Sequence, residues 1–108
     1  MKRIECANAQ EALDLLRYCL TEEGSVIEGR HFRDKLRLEE LAIDEAYFVM
    51  RSGSIYEPPE FDISTGEWKW KVEGLEPDGR WLVVVFSFKT VDSAFLITIY
   101  SVEARRRK

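Results

Sequence analysis

The hydrophobic period of this chain changes once, at Gly53. Before that residue apolar side chains recur every three to four positions, the spacing of one helix face. After it they alternate every second position, the spacing of a strand. Ala12, Leu15, Leu16, Cys19 and Leu20 form one stripe, which predicts a helix over residues 8–23. Asn8 followed by Glu11 suits its start as a capping pair, and Gly24 supplies a stop. Phe32 and Leu36 share a face of a second helix that begins near His31, with Leu38 and Leu41 extending the apolar surface. Ile43, Ala46, Tyr47 and Met50 mark a third helix. It is expected to end with Gly53 in the left-handed cap conformation, which glycine takes at no steric cost. Between the first two helices, "SVIEGRHF" reads as a short extended segment with a turn at Gly29.

Beyond Gly53, "SIYE" reads as a short strand interrupted by Pro58 and Pro59, which cannot donate to a ladder, so "EPPEFDISTG" is a loop or a sheet edge. "EWKWKVEG" puts Trp68, Trp70 and Val72 on one face and Lys69, Lys71 and Glu73 on the other, as a half-buried antiparallel strand requires. "PDG" is a turn, "RWLVVVFSFK" an apolar run suited to a central strand, and "FLITIYSVE" a final strand. Helices first and strands after them predict an α+β fold. The N-terminal helices pack on one face of a three- to four-stranded antiparallel sheet, with Trp81, Val83, Val85, Leu96 and Ile99 in its interior.

The chain has 108 residues, the size of one domain and enough to bury a core without staples. Apolar residues are 45% and charged ones 33%, a globular balance and not that of a disordered chain. No apolar run nears the roughly 20 residues of a membrane helix, and "MKRIECANAQ" lacks the core of a secretion signal. A cytoplasmic protein that does not contact the membrane is expected. Cys6 and Cys19 show no metal-ligand spacing, and one histidine adds little to them. No metal and no cofactor are expected, and both thiols should be free. The net charge of −4 excludes a simple electrostatic coat for nucleic acid. It is unevenly placed, because the last four residues, "RRRK", are all basic.

The only histidine sits in "GRHFRDKLR" among four basic residues. The stretch from it, "HFRDKLRLEELAIDEAYFVMRSGSIYE", resembles a widespread bacterial domain-of-unknown-function family (number forty-two fifty-eight), which is grouped with the RelE, ParE and BrnT-like toxins. That family's pattern is a histidine, a basic residue one helical turn on with an apolar residue after it, an acidic helix start, apolar positions, a glycine and a strand. His31, Lys35, Leu36, Asp44, Glu45, Ala46, Met50, Gly53 and Ile55 follow it without a gap. The strands "WLVVVFSF" and "LITIYSVEARRRK" are similar to the family's apolar strand pair and to the basic end of BrnT-like toxins. The resemblance runs from about residue 27 to the C-terminus. Residues 1–26 stand outside it as an extra N-terminal helix, and residues 105–108 are a basic tail on a single domain of residues 1–108. The family often has a second arginine one turn further along and a glycine after it, where this chain has Glu39 and Glu40.

The resemblance implies a RelE-like fold and a toxin-type, metal-independent RNA endonuclease. In such chemistry a ribose 2′-OH attacks the adjacent phosphate, which needs a base, an acid and cations for the transition state. His31 and Lys35 would share a helix face, with Arg105 approaching from the C-terminal end and Tyr100 stacking on a base or donating a proton. A neighbouring cation and a helix N-terminus would both keep His31 neutral. Arg33, Arg37, Arg106 and Arg107 are the RNA-binding candidates, although Arg33 and Arg37 are rotated away from the first pair. RNA, an antitoxin protein and a second copy of the chain are the candidate partners. Each residue also has a plain reading. His31 can cap or face water. Arg33 and Arg37 can form a solvated face with Asp34, Glu40 or Glu28. Trp68, Trp70 and Trp81 can pack in a core instead of stacking bases, and the tail can simply solubilise. The alternative function is a non-catalytic protein-interaction module of the same fold, favoured by the acidic balance and by Glu39.

Overall fold

The structure is a computed structural model and describes residues 6 and 8–102. Within them α1 spans Ala9–Cys19, β1 Ser25–Glu28, α2 Arg30–Leu38 and α3 Ile43–Ser52. They are followed by β2 Glu60–Asp62, β3 Glu67–Leu75, β4 Trp81–Thr90 and β5 Ser93–Val102. The described residues are thus α+β, with three helices before most of the sheet. The five strands run in the order β1-β5-β4-β3-β2. The sheet is mixed, which corrects the expected three- or four-stranded antiparallel one. Ser25–Glu28 pairs in parallel with β5, placing Val26 opposite Ala94 and Glu28 opposite Leu96. A four-residue segment is too short to reveal its partner by alternation, and a parallel partner lies far along the chain.

Each helix boundary has a local cause. Asn8 is extended, and its Oδ1 accepts the Glu11 amide at 2.9 Å, so the expected cap forms. The buried stripe of α1 is Ala12, Leu13, Leu16 and Cys19. On α2, Phe32 and Leu36 are buried, but Leu38 is 76% exposed and adds nothing to the core. That helix ends in a Schellman pattern: the Glu40 amide donates to the Arg37 carbonyl at 3.1 Å and the Leu41 amide to the Leu36 carbonyl at 2.9 Å. The pattern requires a left-handed residue, and Glu40 takes it with φ 55°.

Gly53 ends α3 by a different route from the left-handed cap expected of it. Its backbone is extended, at φ −82° and ψ −168°. Glycine is needed there because a Cβ would lie 2.5 Å from the Glu73 carbonyl oxygen. Ser54 and Glu73 exchange backbone hydrogen bonds at 2.9 Å, so the end of α3 lies directly on β3. The Arg17 guanidinium donates to the Gly53 carbonyl at 2.7 Å and ties α1 to the same point.

The core lies between the three helices and one sheet face. Ala12, Leu16, Phe32, Ala46, Val49 and Met50 meet Trp70, Val72, Leu82, Val84, Phe86, Leu96 and Ile99 there. The other face carries a second cluster of Trp81, Val83 and Val85 with Ile97, Tyr100 and Val102, all of them strand residues. The five positions expected inside the sheet are therefore buried, but on opposite faces. The Trp81 indole N–H donates to Glu73 Oε1 at 2.9 Å and satisfies its one polar atom. The strand expected at "SIYE" reduces to a single bridge between Ser54 and Glu73, and the edge ladder forms only after Pro58 and Pro59, at β2.

The two unusual backbone positions should respond in opposite senses. Glu40→Gly removes a left-handed non-glycine residue and should raise stability by up to about 1 kcal/mol. Gly53→Ala forces a methyl against the Glu73 carbonyl and should lower stability by about 2–3 kcal/mol. Urea denaturation of both variants checks this; equal and small effects would show that neither position is constrained.

Candidate functional site

His31 lies in the first turn of α2 and is exposed. Lys35 is one turn on and half-buried, and its Nζ lies 3.6 Å from Glu39 Oε2. Glu39 also accepts from the Ser101 hydroxyl at 2.8 Å through Oε1. The residue that stands where the resemblance has an arginine thus holds the lysine of the proposed pair and links α2 to β5. Arg33 and Arg37 are exposed, and Arg37 pairs with Asp34 within the helix.

Tyr100 does not join this group. It pairs with Val83 and sits in the second cluster, on the sheet face opposite the helices. Phe32 and Leu36 place α2 on the core face. The sheet therefore separates Tyr100 from His31 and Lys35. Arg105, Arg106 and Arg107 lie outside the described residues. Of the predicted set, His31 and Lys35 stand one turn apart on α2, and the Lys35 ammonium is turned to Glu39.

A concave site lies elsewhere. A cavity of about 360 Å³ opens between the start of α1, the proline-broken edge and β3. Its walls are Trp68, Trp70, Tyr56, Pro58 and Pro59, with Cys6, Asn8, Ala9 and Glu57 around them. Its size lies in the lower part of the range of about 300–1,000 Å³ for small-ligand pockets. The sequence explains its shape. Alternation in β3 turns Trp68 and Trp70 to the core side, and the two prolines break the ladder that would otherwise close the strand edge. Trp70 is buried in the core, while Trp68 is half-buried and meets Phe61 edge-on at 5.0 Å between ring centroids. Tyr56 lines the cavity and also approaches Trp81 at 6.1 Å, so it borders the second cluster. The walls are flat and apolar, and the charged wall residue Glu57 lies 3.5 Å from Lys71. Such a site suits a planar or aliphatic group held by ring contact. Sequence reading identified the two tryptophans as ring surfaces and the prolines as a break, but not that they meet. Their meeting depends on α1 docking at the end of the sheet.

The β2–β3 hairpin positions the outer wall. Asp62 accepts from Ser64 Oγ at 2.7 Å and pairs with Lys69 at 3.1 Å. The Ser64 hydrogen bond and the Lys69 ammonium hold its carboxyl down at about 2. Cys6 and Cys19 are free thiols, and burial raises that of Cys19 to about 11. Among the described residues, no helix is long and apolar enough to cross a membrane.

No protein-family model, no curated protein and no solved structure matches this chain.

The Asp62 carboxyl predicts an acid response of the β2–β3 hairpin. Its folded value lies below its unfolded one, so its contribution to stability is present above about pH 4 and disappears as pH falls toward about 2. Urea midpoints measured across that interval should fall more for the parent than for Asp62→Asn. Identical acid profiles would remove Asp62 from the hairpin's support.

Proposed function

We propose that this chain is a non-catalytic protein-interaction module with a RelE/BrnT-like fold, and that it holds its partner by one apolar or aromatic side chain seated in the Trp68–Trp70 cavity. The cavity carries the reading. Binding energy at protein interfaces concentrates in a few aromatic or apolar anchors seated in desolvated pockets, and Trp68, Tyr56, Pro58 and Pro59 offer such a pocket. The RelE/BrnT-like assignment rests on the resemblance, and one feature of the backbone supports it. Where that family often has a glycine, Glu40 has the left-handed conformation glycine favours.

The resemblance also gives a second reading, a metal-independent ribonuclease. His31, exposed, and Lys35, half-buried one turn on, favour it. Against it stand the Lys35–Glu39 pair and the position of Tyr100 across the sheet.

One pair of assays separates the two. A displayed peptide library is selected on the parent and counter-selected on Trp68→Ala. The interaction reading expects peptides that share an aromatic or large aliphatic anchor and bind at least roughly 30-fold more weakly to the variant, the loss of about 2 kcal/mol typical of a hot spot. No enrichment over the counter-selection would sink it. In parallel, single-stranded and ribosome-bound RNA are incubated with the parent and with His31→Ala in the presence of a chelator. Cleavage that falls roughly 100-fold in the variant would establish the nuclease instead.

A further inference from the structure

A carboxylate cluster lies outside the cavity. Glu45 comes from the first turn of α3, Glu76 from the end of the β3 hairpin arm and Asp78 from the turn that follows. One carboxylate oxygen of each lies within 4.8 Å of those of the other two. The turn is rigidly built. Pro77 precedes Asp78, the Gly79 amide donates to the Glu76 carbonyl at 2.9 Å, and Gly79 has φ +95°.

Glu76 makes this more than an acidic patch. Its side chain is completely buried. Oε1 accepts the Arg80 amide at 2.7 Å, but Oε2 is buried with no hydrogen-bond donor. An unpaired buried carboxylate oxygen is costly and calls for a compensating charge. Arg80 supplies part of it. Its Nη2 lies 3.3 Å from Glu45 Oε2 and its Nε 3.8 Å from Glu76 Oε1. One guanidinium against three carboxylates leaves a deficit of two positive charges, which one divalent ion would fill.

We propose that Glu45, Glu76 and Asp78 form a binding site for a hard divalent cation, calcium above magnesium. Calcium holds oxygens at 2.3–2.6 Å, so two of its ligands can stand up to about 5 Å apart, and it tolerates irregular geometry. Magnesium draws its ligands to within about 4.2 Å and requires a near-perfect octahedron. Asp78 is exposed and Glu76 is buried, so the ion reaches the site from the turn and neutralises the inner oxygen. The Arg80 Nη1 donates to the Glu39 carbonyl at 3.2 Å. The ion therefore fastens the β3–β4 turn to the start of α3, beside the α2–α3 junction.

The test uses terbium as a luminescent substitute, with Trp81, the neighbour of Arg80, as sensitiser. Emission from the parent should saturate at a single equivalent and be displaced by calcium. Asp78→Asn, a substitution at an exposed turn position, should weaken terbium binding at least about tenfold. Millimolar calcium should raise the Tm of the chelated parent and leave that of Asp78→Asn unchanged. Equal terbium affinity in parent and variant, or no calcium-dependent change in Tm, would overturn the site.

Discussion

The contact between Gly53 and β3 sets the arrangement of this molecule. Glycine at 53 lets the end of α3 descend onto the Glu73 carbonyl, closer than any side chain would permit. Gly74 faces the same point, where a Cβ would meet the Gly53 Cα at 3.1 Å. Two glycines thus let backbone meet backbone where the chain turns from helix to strand. Arg17 then anchors α1 to the Gly53 carbonyl. The start of α1, the edge strand and β3 come together because this junction is tight, and the aromatic cavity is the space they enclose.

Much of the fold was legible in the residues. Alternation in "EWKWKVEG" assigned the faces of β3 correctly, because period two is unambiguous when one face is apolar and the other charged. The run "RWLVVVFSFK" occupies the middle of the sheet, as its continuous apolarity implied. What escaped was relational. Ser25–Glu28 carries no mark of the strand it pairs with, so the parallel pairing and the fifth strand were not visible. Glycine at a helix end usually serves as a cap, whereas the need for space at Gly53 against Glu73 is a tertiary fact. Glu40 shows the converse, an ordinary charged residue in a conformation its chemistry does not announce.

The candidate sites divide in the same way. His31 and Lys35 share a helix face because four residues make about one turn, and that needs no tertiary knowledge. Tyr100 fell on the far side of the sheet because register in β5 is set by its pairing with β4, including irregularities near Phe86 and Thr90. Trp68, Trp70 and the two prolines each carry a local signal, but none that links them. No spacing rule joins a strand pair to the cap of a helix some 60 residues earlier.

Pro58 and Pro59 have a consequence beyond shaping the cavity. The outer margin of a sheet is a template on which foreign strands can grow, and proline removes the donors such growth needs. Here the β2 margin offers a three-residue ladder after the prolines, and the β1 margin only four residues. Neither is long enough to nucleate a continuous sheet with another chain. A strand added at either margin would gain only a few main-chain hydrogen bonds, so the sheet is guarded against edge-to-edge growth.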